Sequence, residues 1–389
     1  MKPGVYVHIP FCEQRCYYCA FTIAVSGADT YGAYVSRLIR EIELSEFDGQ
    51  PETIFLGGGT PSIIDGSLIE KILSALPAGA SEISLEANPG TLTQLKLEQY
   101  IKAGVNRISL GAQSFDDRDL KKAGRIHSAA NVVQDIELLR KYGFRNISVD
   151  LIAGLPDQEL EIWRENLNWI ERLRPEHVSI YMLDIEERSA WGSAQRKRDS
   201  AQPQGDARSA LPEDDVFAGF YVEAAERLAK AGYIHYEISN WARPGFECRH
   251  NLKYWTGVPY RGFGVGAHSF SNTRRFWNTA SLKEYAEQID LGKLPIGGAE
   301  ELTREMRIEE AFLIGLRRTS GFDVWSVARE LGITYPQKWF DRVCDMEDAG
   351  WIQFDGKFLK LTPAGWLLAS GVTEELLWPT LLSTSEATQ

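Results

Sequence analysis

Only five cysteines occur in 389 residues, too few and too uneven for the disulfide framework of a secreted scaffold. No apolar run approaches the roughly 18 residues that a membrane-spanning helix needs. The N-terminal stretch MKPGVYVHIPFC is interrupted by His8 and Pro10, which argues against a secretory signal. Positive charge is also short: 42 Lys and Arg stand against 54 Asp and Glu, a net charge of −12. A surface built to coat nucleic acid is therefore not expected. No internal repeat is present. The remainder is ordinary globular composition, 44% hydrophobic and 25% charged, able to bury a large core. A cytoplasmic chain follows, without a transmembrane segment and with at most peripheral membrane contact.

Short apolar runs alternate with helical patterns from Val5 to about Leu183. The strand candidates are 5–8, 53–56, 82–87, 107–112, 147–153 and 177–183. Between them lie stretches such as YVSRLIREIEL and TQLKLEQYIKAG, where apolar residues recur at three and four. Gly104 and Gly143 are placed to end two of these helices. The strands look almost continuously apolar, as when both faces are buried. The fold class expected is α/β, an open six-stranded parallel (β/α)6 partial TIM-type barrel with a C-terminal helical, winged-helix-like domain. The boundaries expected are 1–187 for the barrel, 188–212 for a polar loop or linker, 213–300 for an accessory segment and 301–380 for the C-terminal domain. In the last of these, Asp355–Gly356 marks a hairpin turn.

Three cysteines, Cys12, Cys16 and Cys19, fall in one loop after the first strand. Three thiolates so close together can grip three corners of an iron–sulfur cube and leave the fourth iron open. A structural zinc is the alternative, and it wants four ligands, for which the only nearby candidate is His8. Polar residues also stand in or at the ends of apolar strands: Glu86 in LEANP, Gln113 in LGAQS and Asp150 in VDLIAGLP. Such groups are costly to bury unless partnered, and three at matching strand ends favour a ligand. Further on, Cys248-Arg-His250-Asn251-Leu-Lys-Tyr254-Trp255 offers an imidazole and two flat aromatic faces. That set would suit a haem, with His250 as axial ligand, though a histidine among aromatics is more often packed core. Cys248 and His268 are rival ligands, and His127 is expected to be structural.

YVHIPFCEQRCYYC resembles the signature of radical S-adenosylmethionine (SAM) proteins, and within them the branch of the haem-chaperone (HemW) group and the oxygen-independent coproporphyrinogen dehydrogenases (HemN). The resemblance covers nearly the whole chain except the 188–212 loop and the last residues. It implies a [4Fe-4S] cluster on Cys12, Cys16 and Cys19 and an exchangeable SAM. The turn Gly57-Gly58-Gly59-Thr60-Pro61 would meet the methionine end of SAM through exposed backbone. Glu86, Gln113, Arg125 and Asp150 match positions that bind SAM's ribose and carboxylate, and Tyr6 and Tyr18 match flanking positions. HNLKYW matches a motif associated with haem binding, which implies His250, Asn251, Tyr254 and Trp255 as haem residues. The function implied is binding of haem and its transfer to acceptor haemoproteins, with no catalytic residue assigned and a homodimer possible. The alternative is coproporphyrinogen dehydrogenation or another radical SAM activity on porphyrins. Against the dehydrogenase, Phe21 stands where its pattern has a fourth cysteine, and the chain begins five residues before Tyr6, without that group's N-terminal extension.

Overall fold

The computed structural model describes residues 2–45, 47, 49–194, 214–378 and 381. Most of the expected 188–212 linker, with its basic Arg196–Lys197–Arg198, lies outside the described residues.

The six expected strands form as β1 (Gly4–Ile9), β2 (Thr53–Gly58), β3 (Glu82–Ala87), β4 (Arg107–Gln113), β5 (Ile147–Ala153) and β6 (His177–Met182). They lie side by side in chain order and all run parallel. The crossovers carry α1 (Tyr31–Leu44), α2 (Gly66–Ser74), α3 (Gln94–Lys102), α4 (Asp117–Lys122), α5 (Ala129–Lys141) and α6 (Leu160–Leu173). Their apolar stripes face the sheet: α1 buries Tyr34, Val35, Leu38 and Ile42, each side chain contributing about 1.5–3 kcal/mol. Thr93 caps α3 by accepting from the Lys96 amide, and Gly104, at φ +87°, stops it. Gly143 does the same for α5 at φ +86°.

The sheet is larger than the six strands expected. Residues 213–300, expected as an accessory segment, extend both of its margins. They supply α7 (Asp214–Lys230), β7 (Ile234–Glu237), β8 (Asn240–Ala242), α8 (Arg249–Trp255), β9 (Tyr260–Phe263), β10 (His268–Ser271), β11 (Arg274–Asn278), α9 (Leu282–Asp290) and β12 (Ile296–Glu301). The order is β12-β11-β10-β9-β1-β2-β3-β4-β5-β6-β8-β7. β9 runs parallel to β1, with Gly4 opposite Tyr260, so the parallel set has seven strands. The remaining additions are antiparallel. The physical reason is β1 itself: Val5, Val7 and Ile9 are fully buried, and a buried strand cannot leave one row of backbone groups unpaired.

After Thr303 come α10 (Arg304–Leu316), β13 (Phe322–Asp323), α11 (Val324–Leu331), α12 (Gln337–Asp348), the hairpin β14 (Ile352–Phe354) and β15 (Phe358–Leu361), α13 (Pro363–Trp366) and α14 (Ala369–Leu377). Gly356 turns the hairpin at φ +88°, and β13 adds a third strand to it. A separate core of Phe312, Trp339, Leu359 and Leu376 fills this part. Among the described residues no helix is long and apolar enough to cross a membrane.

Candidate functional site

β1 ends at Ile9, and Pro10 leads into the cysteine loop. Phe11–Cys12 pairs with Ala24–Val25, which ties the two ends of the loop together. Cys12 is buried, Cys16 and Cys19 half-buried, and all three open on one cavity of about 390 Å³. Burial pushes the Cys12 thiol up to about 11 and raises that of Cys19. These two are therefore neutral until a bound cation displaces their protons into solvent. Among the described residues no three thiol, imidazole or carboxylate groups converge on a point where one metal ion would sit. Thiols spread around a cavity suit a cluster, in which each binds a different iron.

His8, the fourth ligand a zinc site would need, is already committed. Its Nε2 lies 2.8 Å from the Thr22 carbonyl and so carries the proton, which leaves Nδ1 to accept from the Tyr6 hydroxyl at 3.0 Å. Burial lowers its pKa to about 4, so the ring is neutral. His8 also explains the glycine turn. A Cβ on Gly58, where φ is +118°, would meet the His8 ring at 2.6 Å, and one on Gly59 would meet the Phe11 carbonyl oxygen at 2.6 Å. Glycine at both positions lets the turn press against the loop, where Gly59 N–H donates to Ile9 O at 2.8 Å and Thr60 N–H to Phe11 O at 2.7 Å.

Below the loop, inward side chains of the strands form a polar layer. Glu86 sits beside Ser109, and Asp150 beside Ser179, in the sheet register. Glu86 Oε2 accepts from the Gly58 amide at 3.0 Å. Burial, reinforced by the Asp150 carboxylate, pushes Glu86 up to about 8, so it keeps its proton at neutral pH. Asp150, also raised by burial, accepts from Ser109 at 3.0 Å and Ser148 at 3.1 Å. Gln113 adopts φ +67° where β4 bulges away from β5, an unusual backbone for a residue with a side chain and one that favours a functional position. Arg125 Nη2 donates to Asn88 Oδ1 and Gly111 O, both at 2.7 Å, while Nη1 lies 3.5 Å from both Cys16 Sγ and Tyr18 Oη.

The cavity thus gathers the three cysteines with Tyr18, Gly58, Gly59, Thr60, Glu86, Gln113, Arg125 and Asp150. Tyr6 is not among its lining residues. It faces a second cavity of about 210 Å³ deeper in the barrel, shared with Phe55 and Tyr254. Sequence reasoning missed Asn88, Ser109 and Tyr181, which line the upper cavity. The signal was present: Arg107, Ser109, Gly111 and Gln113 alternate with Ile108, Leu110 and Ala112, the period of a strand with one polar face. Trp191, in the segment expected to be a linker, packs 6.2 Å from the Tyr18 ring, and its amide donates to Tyr17 O at 3.0 Å.

The HNLKYW segment is at the opposite end. α8 covers the N-terminal ends of the strands, and its His250, Asn251 and Tyr254 reach the deeper cavity, which Glu86, Ser109 and Asp150 line from the other side. His250 is 1% exposed. Its Nδ1 lies 2.8 Å from Thr53 Oγ1, its Nε2 3.0 Å from Tyr254 Oη, and its amide donates to Glu82 Oε1 at 3.0 Å. Phe55 stacks on the ring at 5.2 Å, and burial lowers its pKa to about 3. Asn251 lines the deeper cavity, and the Arg317 guanidinium covers Trp255 at 4.8 Å. Cys248 is fully buried, its thiol pushed up to about 12 by burial. His268 is exposed and faces Trp277 at 5.6 Å. His127 donates from Nε2 to Ala112 O at 3.1 Å, a structural bond.

The radical SAM superfamily model matches residues 6–170, and the HemN C-terminal domain model matches residues 302–368. A relative from Synechocystis, named heme chaperone HemW, is 36% identical over 92% of this chain and 88% of its own length. A Bacillus subtilis protein of the same name is 34% identical over 95% and 97%. The solved structure of Escherichia coli coproporphyrinogen III oxidase (HemN), described as a radical SAM enzyme, superposes with a TM-score of 0.81 over 96% of this chain and 90% of that one. At 24% identity that likeness speaks for the fold alone. With a cysteine loop, a glycine turn and a polar strand layer around one cavity, and with relatives matched along almost its whole length, the chain belongs to the heme chaperone HemW family within the radical SAM superfamily.

Proposed function

We propose that this protein binds haem and transfers it to acceptor haemoproteins, holding a [4Fe-4S] cluster on Cys12, Cys16 and Cys19 and an exchangeable SAM beside it. The observation that carries the reading is the single cavity onto which three thiols, a close-pressed glycine turn and a protonated Glu86 all open. When bound, such a cluster supplies an open iron position and a one-electron redox couple. Around it, Gly58, Gly59 and Thr60 offer backbone to the amino-acid end of SAM. Arg125 presents a guanidinium to its carboxylate, and Glu86, Gln113 and Asp150 take its ribose, with Tyr18 beside the loop and Tyr6 supporting His8 from below. In this reading an open (β/α)6 partial barrel over 1–187 is widened at both margins by the part over 213–300, and a winged-helix-like domain follows over 301–380.

His250, Asn251, Tyr254 and Trp255 form the haem segment. Both nitrogens of His250 are engaged, so axial coordination requires Tyr254 to release Nε2 or Thr53 to release Nδ1, an opening that suits a protein that must also give its cargo up. His268, exposed beside Trp277, is the second candidate ligand. The protein works in the cytoplasm, with a second copy of the chain as a candidate partner. Phe21 separates this reading from the dehydrogenase: it is 67% exposed and lines the cavity where that pattern has a cysteine.

Anaerobic reconstitution with iron and sulfide, followed by haem titration and a coproporphyrinogen assay on the same sample, tests the proposal. About one haem per chain is expected, bound more weakly by His250→Ala, with no decarboxylation. Turnover of coproporphyrinogen with haem binding unchanged in His250→Ala would promote the dehydrogenase instead.

A further inference from the structure

A buried chain of hydrogen bonds runs from the upper cavity to the HNLKYW helix. Asp150 Oδ1 lies 3.1 Å from Ser148 Oγ, which is 2.8 Å from His177 Nδ1. His177 Nε2 is 2.8 Å from the Tyr236 hydroxyl, and that hydroxyl is 3.2 Å from the amide nitrogen of Cys248, the residue just before α8. Ser148, His177 and Cys248 are 0% exposed and Tyr236 is 8% exposed, so water does not compete for these bonds.

The two ends fix every proton between them, because an amide N–H only donates and a carboxylate only accepts. Cys248 N–H therefore donates to Tyr236, Tyr236 O–H to His177 Nε2, His177 Nδ1–H to Ser148, and Ser148 O–H to Asp150. Burial and the nearby Arg107 guanidinium hold the His177 pKa well below the usual histidine range, which keeps the ring neutral and able to accept and donate at once. Each middle group spends its single proton within the chain.

We propose that Ser148, His177 and Tyr236 are positioning residues that couple occupancy of the Asp150 cavity to the setting of the haem-segment helix, an inference resting on the function proposed above. A ligand hydroxyl that donates to Asp150 competes with the serines already there. If Ser148 turns away, His177 Nδ1–H loses its acceptor, and a buried donor without a partner is costly. The strain is relieved by moving Tyr236, and with it the amide that begins the turn carrying His250. Coupling of this kind is reciprocal, so haem at the helix must alter SAM affinity by the same factor.

Haem titrations of the full-length, cluster-loaded protein, followed at the Soret band with and without saturating SAM, give a ratio of dissociation constants. In the wild type that ratio is expected to differ from one by about fivefold or more, and to fall within about twofold of one in Tyr236→Phe and in Ser148→Ala. Tyr233→Phe, which removes a buried hydroxyl bonded to Pro175 O at 2.6 Å outside the chain, should keep the wild-type ratio. A wild-type ratio of one, or a ratio that survives both cuts, overturns the relay. A wild type that binds no haem defeats the proposed function and the relay with it. A SAM-induced change in the spectrum of the reduced cluster, recorded on that sample, then tells whether the upper site stands alone.

Discussion

At the C-terminal ends of the strands the polar groups face an open volume of about 390 Å³, whereas at the N-terminal ends they bond to one another beside a smaller cavity of about 210 Å³. The upper end keeps what a guest would need. Its glycines have room only for backbone, and Glu86 is raised to about 8 by burial and by the neighbouring Asp150 carboxylate. The lower end has filled its own needs. His250 spends both nitrogens, its amide goes to Glu82, and aromatic rings close around it. Both regions carry motifs of comparable length, yet the upper one opens on the larger cavity. A motif fixes which chemical groups are present; packing decides whether they are free to act.

If that contrast holds, substitutions at the two ends should fail in different currencies. The largest effect belongs to the upper end: Cys19→Ser should take bound iron from about four per chain to essentially none after anaerobic reconstitution. The unloaded chain should keep its stability within about 0.5 kcal/mol, because this half-buried side chain carries no core packing. Iron and sulfide analysis beside denaturant titration checks both halves, and full iron retention would remove Cys19 from the ligand set. Next comes His250→Ala, which deletes the Thr53 and Tyr254 partners and the Phe55 stack. It should cost about 2–4 kcal/mol in urea unfolding while iron loading persists. A variant as stable as its parent would mean that the lower end is loose, and the contrast between the ends would vanish.

The smallest effect, taken per pH unit, concerns pH. Glu86 in the folded chain titrates near 8, above its ordinary value of 4.5. Between those values the unfolded chain is ionised while the folded chain keeps the proton. This group therefore lowers stability as pH rises through that window, by at most about 1.4 kcal/mol per pH unit, and adds nothing further above it. In Glu86→Gln that part of the slope should be absent, as denaturant midpoints at several pH values would reveal. Identical slopes in the two proteins would show that Glu86 ionises normally.

The six parallel strands were legible because the apolar runs at 82–87 and 147–153 coincide with the strands that form. Two helix ends were legible from Gly104 and Gly143, where positive φ leaves little choice of residue. The widening of the sheet was not. Residues 260–278 form short strands with half-exposed faces, and nothing local says that Tyr260 must lie beside Gly4, since that pairing is set by the need of β1 for a second neighbour. At the site, Cys12, Cys16, Cys19, Glu86 and Asp150 could be named from spacing and from polarity in apolar surroundings. Tyr6 could not be placed, because its motif gives proximity to the loop but not which cavity the ring enters. The engagement of His250 was equally hidden, depending on Thr53 and Glu82, which lie far from it in sequence.

The seventh parallel strand also has a consequence for how the chain reaches its fold. β1 is made first, yet one of its two partners is Tyr260–Phe263, so during synthesis its free edge waits for most of the polypeptide to appear. Joining segments so far apart costs loop entropy and slows folding. An exposed apolar edge in the meantime invites the wrong partner. The cysteine loop hangs directly from that strand. Until β9 docks, the three thiols lack a fixed frame, so a nascent chain is poorly prepared to receive iron and sulfide. Completion of the sheet then sets the earliest moment for maturation, and a fragment ending before residue 260 should be both prone to aggregate and difficult to load.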